Sequence, residues 1–394
     1  MVRMILLFLL LVSVITCFSA VSSRLWSGKP EQIPEQVEVA VSDDMTIAEF
    51  GKEYGLEKQT LKSIFGLQSP NDLMKKVKDS GFNVQQLNKK VNQAKAIQAE
   101  QSAKNWFKIS LKGTLWVVFL IIVFTLLRKG KVTAYSRKVI YMTAVVIFGI
   151  ILGSDPSPMG TVKDAIVLLG SRGIIFPPRL IAFVIFLLMV IAANKFICSW
   201  GCQFGTLQDI IFRLNRDTAD KKGLKAQIKV PFVISNSIRV LFFIILTIAA
   251  FAWAADIVEH IDPFKIYKPA VIGIGGGIFI GILLTASLFI YRPWCHFFCP
   301  FGLVSWLTEK ISVFKIKVDY DKCISCEACS KVCPSTVMDA ILKQDRVIPD
   351  CFACGTCIET CPVKAIMFTK SKRQIPPVGK FTNKNTGPSQ MRSP

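Results

Sequence analysis

CISCEACSKVCP at residues 323–334 and CFACGTCIETCP at residues 351–362 decide how this chain is read. Both runs are C-x2-C-x2-C-x3-C-P, with Pro334 and Pro362 closing them. In this spacing thiolates hold iron, and the fourth cysteine of each run ligates the cluster of the other run. The spacing therefore assigns Cys323, Cys326, Cys329 and Cys361 to one 4Fe-4S cluster, and Cys351, Cys354, Cys357 and Cys333 to a second. Zinc modules set four ligands as two separated pairs, often with histidine, and give no reason for the two prolines. Disulfides need an oxidising compartment, whereas the topology below puts this stretch in the cytoplasm.

The rest of the composition agrees with an electron carrier held in a membrane. Of 394 residues, 52% are apolar, enough for several spans and more than one folded unit. The net charge of +21 raises the question of nucleic acid. Its basic residues sit beside apolar stretches and in the tail, however, which is the pattern of membrane topology rather than of a basic binding face. No nucleic-acid partner is expected. Thirteen cysteines against two histidines, His260 and His296, leave thiolate as the available soft ligand.

Residues 1–21 read as a signal peptide or an N-terminal anchor, with Arg3 ahead of an apolar run. Residues 22–107 read as a small extracytoplasmic helical domain: a cap at Asp44 or Thr46, a stop at Gly55, and Leu61, Ile64 and Phe65 at turn spacing. Apolar stretches at 109–127, 138–153, 179–197, 231–254 and 271–291 bring the number of hydrophobic spans to about six. The loop bearing Arg128, Lys129, Lys131, Arg137 and Lys138, and the one bearing Arg213, Arg216, Lys221, Lys222, Lys225 and Lys229, are cytoplasmic by the positive-inside rule. The loops at 154–178 and 255–270 then fall outside. The expected architecture is an all-α polytopic protein of the bacterial inner membrane. Residues 108–310 form its membrane domain and 311–370 a cytoplasmic α+β ferredoxin-like module. Residues 371–394 form a disordered basic tail.

Within the membrane domain the chain repeats itself. SDP at 154–156, a span and CSWGCQFGTLQDII from Cys198 match IDP at 261–263, a span and CHFFCPFGLVSWL from Cys295. A duplicated two-span unit of this kind brings Cys198, Cys202, Cys295 and Cys299 together beside the ferredoxin-like module. Four such cysteines ligate a further iron-sulfur cluster or a soft metal, cycle between dithiol and disulfide, or pack as small hydrophobes. The matched placement favours a redox or metal role. Gly273, Gly277 and Gly281, every fourth residue of the last span, read as a close helix-packing stripe.

Two C-x3-C motifs at the ends of membrane spans, followed by a two-cluster module, resemble the membrane polyferredoxin family of NapH, MauN, NosR and CcoG. The resemblance covers about residues 135–370. It implies a four-span core, cytoplasmic clusters, and electron exchange with the quinone pool or with a membrane or periplasmic redox protein. The chain departs from the family pattern at Gln203, where the motif has proline; Pro300 matches. No periplasmic flavin domain is recognisable in residues 22–107.

Quinol oxidation releases protons with its electrons, so a quinol site needs an apolar slot and a proton acceptor. The outer loop AADIVEHIDPF supplies Asp256, Glu259, His260 and Asp262, with His260 and Asp262 as the candidate proton relay. Asp155 and Asp164 lie in the other outer loop. Arg292, Trp294 and His296 flank the second cysteine pair, as further quinone-site groups or as interfacial anchors. The expected function is electron exchange between quinol or quinone and respiratory partners, as a quinol dehydrogenase component. The alternatives are a copper-reducing or copper-handling protein that uses the four C-x3-C cysteines, and an assembly or regulatory factor for a periplasmic enzyme.

Overall fold

Among the described residues, four helices are long and apolar enough to cross a membrane: Val2–Leu25, Trp106–Arg128, Ala134–Ile151 and Phe232–Ala252. Pro177–Ala193 and Ile274–Ala286 are apolar but shorter. In the computed structural model the described residues are 2–26, 37–40, 44–67, 69–102, 105–173, 175–370, 372–377 and 379–381. The six expected apolar stretches all become helix, four of them at spanning length.

The first helix buries Met4, Leu11 and Ile15 on one stripe against the rest of the helical core. Near its end the Ser22 hydroxyl donates to the Ile151 carbonyl, 3.0 Å away. That carbonyl ends an unusual stretch, because Ala134–Ala144 runs on as a π-helical segment, Val145–Ile151. The wider turn has a local use. Gly149 lies against the Tyr267 ring so closely that a Cβ there would meet it at 2.5 Å. The Tyr267 hydroxyl in turn donates to the Gln203 carbonyl at 3.0 Å.

Residues 154–178, expected as a loop, are largely helical. Pro158–Arg172 is a helix that buries Met159, Val162 and Val167 and packs between Phe232–Ala252 and Pro177–Ala193. Its start carries a strong local signal: Ser157 accepts the Gly160 N–H at 3.0 Å, and Pro158 occupies the first helical position. Lys163 and Asp164 hide it from a charge count. Lys163 pairs with Asp256 at 2.8 Å, and Asp164 with Arg179.

The glycine stripe is also corrected. A Cβ at Gly273 or Gly281 would meet nothing within 4 Å, and at Gly277 only Ile272 at 3.5 Å. The close approach is at Gly276 instead, where the His260 carbonyl lies 2.6 Å from the position of a Cβ.

Residues 37–102 have a core of their own, with Ile47, Phe50, Leu61, Ile64, Leu87 and Val91 buried together. Thr46, rather than Asp44, caps the first helix. Its hydroxyl accepts the Glu49 N–H while Glu49 accepts the Thr46 N–H, a reciprocal capping box. Asp44 pairs with Lys76 at 2.6 Å.

At the other end of the chain Phe314–Val318 and Ile366–Lys370 form an antiparallel pair in register Phe314 to Lys370. Between them lie the two cysteine runs and the helices Ala328–Val332, Val337–Lys343 and Thr356–Thr360. The tail does not leave this module at residue 371. Arg373 donates to the Ile316 carbonyl, Lys380 to the Tyr320 carbonyl, and Phe381 packs edge-on to Tyr320. The remainder of the expected tail, 382–394, lies outside the described residues.

Candidate functional site

Cys323, Cys326, Cys329 and Cys361 line one cavity, closed by Pro362, Val318, Leu342 and Phe381. Cys357 lies in the Coulomb field of Cys354, Cys333 and Cys351, the other quartet. Cys329 also acts on Cys357, so the two runs lie against each other in space. Their backbones match as well. Ser325 and Ala353, each two residues after the first cysteine of its run, have φ of 57° and 50°. Glu327 and Gly355, each one residue after the second cysteine, have φ of 54° and 78°. Left-handed backbone at three non-glycine positions costs roughly 1–3 kcal/mol each and persists where surrounding structure enforces it. Turns of this kind gather N–H groups into a concavity suited to an anion. Ala365 donates its N–H to the Cys361 sulfur at 3.2 Å in this way.

The second quartet is built into the membrane domain. Asn194 donates to the Cys351 carbonyl at 3.0 Å, Trp200 to the Ala353 carbonyl at 3.2 Å, and Arg137 to the Cys354 carbonyl at 2.9 Å. Around it the buried cations Arg137, Arg213 and Arg216 share Asp220. Lys195 and Arg239 share Asp350, the residue before Cys351. Arg137, Arg213 and Arg216 are among the bases that a charge count puts in two loops, and all three lie buried. Burial raises the Asp350 carboxyl, but Lys195 and Arg239 outweigh it and hold the group down at about 2. Glu309 accepts the Cys351 N–H at 3.1 Å, and burial lifts its carboxyl to about 8.

The four C-x3-C cysteines share a second cavity. Cys198, Cys202, Cys295 and Cys299 line it with Lys195, Trp294, Phe264, Pro158, Met159 and Phe352. Phe352 stands between Cys351 and Cys354, so the cavity abuts the second quartet. Pro158, two residues after Pro156, and Phe264, next to Pro263, line it as well. The corners treated as external loops therefore fold inward onto the thiols.

The two motifs have equivalent geometry. Cys202 occupies the N-cap position of Gln203–Leu214 and Cys299 that of Pro300–Glu309. The Gly205 N–H faces the Cys202 sulfur and the Gly302 N–H faces that of Cys299. Arg292 donates to the Cys198 carbonyl at 2.6 Å and Arg239 to the Cys295 carbonyl at 3.4 Å. Gln203 stands in the first helical position, where Pro300 stands in the other motif. The N–H there has no helical partner, so either residue fits the backbone. Burial pushes all four thiols above their ordinary value, Cys295 to about 12. They stay protonated until a soft cation displaces the protons. All thirteen cysteines are free.

Arg292 and Trp294 are not interfacial anchors. Arg292 is fully buried against Asp209, 2.6 Å away, and Trp294 is 1% exposed on the cavity wall. Burial keeps His296 neutral, with its imidazole pushed down to about 4.

His260 and Asp262 do not line this cavity. His260 is exposed. Asp262 accepts the Phe264 N–H at 2.9 Å and so caps the turn that carries Phe264 to the thiols. Burial lifts the Asp262 carboxyl to about 6, against the pull of Lys163 and the Phe264 N–H. Asp155, its counterpart in the first repeat, pairs with Lys268 at 2.6 Å. There Lys268, Lys112 and Arg179 overcome burial and hold the carboxyl below the usual range.

Comparison with known proteins agrees with this geometry. The description "4Fe-4S dicluster domain" matches residues 315–362. A second, "4Fe-4S binding domain", matches twice, at 175–219 and 272–319, the stretches holding the two C-x3-C motifs. The chain is 30% identical over 200 residues to YccM of Escherichia coli K12, covering 48% of this chain and 54% of YccM. It is 28% identical over 199 residues to the ferredoxin-type protein NapH of Haemophilus influenzae, covering 48% of this chain and 67% of NapH. It is 42% identical over 69 residues to pyruvate synthase subunit PorD of Methanothermobacter marburgensis, 17% of this chain and 75% of PorD. The chain thus spans about half the length of YccM. No solved structure matches it. These findings relate the chain to membrane-associated iron-sulfur redox proteins such as NapH and YccM, with a 4Fe-4S dicluster domain at its C-terminal end.

Proposed function

We propose that the chain carries electrons between quinol, oxidised near the inward-folded Asp-Pro corners, and a redox partner that meets the C-terminal module. The observation that carries this reading is the placement of the four-thiol cavity. It is lined by Phe264 and Pro158 of the two corners and by Phe352, which stands between Cys351 and Cys354. Cys323, Cys326, Cys329 and Cys361 would hold one 4Fe-4S cluster, and Cys351, Cys354, Cys357 and Cys333 the other. Each cluster, when bound, takes up and gives up single electrons.

The residues around them do the rest. Arg137, Arg213 and Arg216 set positive charge beside the second quartet. Asp262, half-buried and protonating near pH 6, takes a proton from quinol, and the exposed His260 passes it to water. Lys163 holds Asp256 and Glu259 in place around them. Cys198, Cys202, Cys295 and Cys299 form a further redox or metal station between the two ends. In this reading six helices cross the bacterial inner membrane as a duplicated two-span unit with added helices. The C-terminal module is cytoplasmic and residues 22–107 are extracytoplasmic, where they dock a periplasmic partner.

Copper handling is the weaker reading. Among the described residues, no group of three or more His, Cys, Asp or Glu side chains converges tightly enough to hold a single ion.

Membranes stripped of quinone test the proposal. Reduction of the clusters by a respiratory substrate stops on extraction and returns when menaquinone is added back. Cluster cycling that continues without quinone contradicts it.

A further inference from the structure

We infer that the Trp294 Nε1–H donates a hydrogen bond to a sulfur of the iron-sulfur group that Cys198, Cys202, Cys295 and Cys299 hold, and that this bond raises the group's reduction potential. The inference rests on the redox station proposed above and names a residue that tunes it.

An indole nitrogen can only donate, so burying one calls for an acceptor. Three other tryptophans of the chain find theirs in main-chain carbonyls. Trp116 donates to Gly201 at 3.0 Å, Trp200 to Ala353 at 3.2 Å and Trp306 to Ile348 at 3.2 Å. Trp294 is buried almost as deeply as Trp200, yet its Nε1 has no partner among the described residues. A donor left bare in the interior loses the bonds it made to water and gains nothing in return.

The neighbouring rings do not supply what is missing. Phe242, Phe279 and Phe298 pack around the indole with centroids at 6.5, 6.1 and 5.7 Å, and none carries a lone pair. Trp294 also lines the cavity of the four cysteines. Sulfur is the acceptor that this cavity offers, and a thiolate or sulfide sulfur carries the negative charge that strengthens such a bond.

The donors around the four thiols are of two kinds. The Gly205 N–H faces the Cys202 sulfur and the Gly302 N–H that of Cys299, one main-chain donor for the second cysteine of each motif. Trp294 immediately precedes Cys295, the first cysteine of its motif, and adds a side-chain donor there. The matching residue before Cys198 is Ile197, which has no donor in its side chain. The indole therefore breaks the equivalence of the two motifs. An N–H aimed at anionic sulfur stabilises the reduced, more negative state above the oxidised one, and hydrogen bonds to sulfur are among the levers that set these potentials. Trp294 eases the arrival of an electron at this station without ligating iron.

EPR-monitored redox titration of the full chain, purified without oxygen, tests the inference. The signal that disappears in Cys295→Ser/Cys299→Ser belongs to the station. Trp294→Phe keeps an aromatic ring and removes the N–H. In that variant the signal persists, but its one-electron reduction constant falls on the order of tenfold, about 59 mV. Loss of packing alone does not predict that direction. With the indole nitrogens isotope-labelled, pulsed EPR of the parent shows a nitrogen coupling on the same signal, absent from Trp294→Phe. A persisting signal with an unchanged potential overturns the inference and leaves the station standing, as does a parent without the coupling. If no signal depends on Cys295 and Cys299, the station falls and the inference with it. Should Trp294→Phe fail to accumulate, the coupling in the parent decides.

Discussion

In the proposed quinol reaction the proton chemistry turns on Asp262. Its carboxyl sits at about 6 because burial opposes the charge, with Asp155 and Glu259 adding repulsion against the pull of Lys163. Quinol-driven cluster reduction should therefore quicken as pH rises through about 6, and Asp262→Asn should remove that limb. Stopped-flow bleaching of the cluster absorption reads both. The stability sign is the reverse. A carboxyl raised above its unfolded value favours the protonated fold, so melting temperature should decline between pH about 4 and pH about 6, and less so in Asp262→Asn. Arg213 acts on the other end. It donates to Asp209 at 2.6 Å and to the Thr356 hydroxyl at 3.4 Å, beside Cys354. Removing its charge in Arg213→Gln should lower the potential of the second quartet's cluster by on the order of 50 mV, with Arg213→Lys shifting it less, as redox titration checks. Charge counting singled out Arg213 and Arg137 as loop bases but did not find their partners. Arg137 and Cys354 are 217 positions apart, and no local pattern links them.

At the scale of elements, the signals that were local were legible and the contextual ones were not. The Thr46 capping box, the Gly55 stop and the Leu61 and Ile64 face all stand in the sequence of residues 44–66. Phe50, fully buried there, belongs to a core separate from that of the membrane helices. Phe50→Ala should destabilise that unit by about 3–5 kcal/mol while leaving cluster EPR unchanged, as circular dichroism and EPR on one sample decide. The helix Pro158–Arg172 escaped because Lys163, Asp164 and Arg172 lower its hydropathy, although Ser157 and Pro158 announce its start. Gly273, Gly277 and Gly281 misled in the opposite sense. Their spacing permits close packing, but only a neighbour decides whether it occurs, and the neighbour is at Gly276. Lys195 joins elements that no periodicity connects, bonding Asp350 and the Gly302 carbonyl. Breaking such a buried pair costs roughly 3–5 kcal/mol. Lys195→Met should therefore loosen the C-terminal module from the helices, visible as faster hydrogen exchange at residues 350–353.

Across the whole molecule, the Asp-Pro corners and the cysteine runs are joined in one line of contact by the thiol cavity, which Pro158, Phe264 and Phe352 all line. The runs were readable because cluster ligation needs a fixed local spacing. The line was not, since it depends on where Phe264 and Phe352 come to rest, two residues 88 positions apart in the numbering that meet only at the cavity. The central claim is that electrons enter this line from quinol. EPR on the anaerobically purified chain, after adding a menaquinol analogue, tests it most directly, with dithionite as the control. The account predicts reduced-cluster signals with quinol in the parent and their loss in Cys295→Ser/Cys299→Ser. Clusters that dithionite reduces but quinol leaves oxidised in both would contradict it.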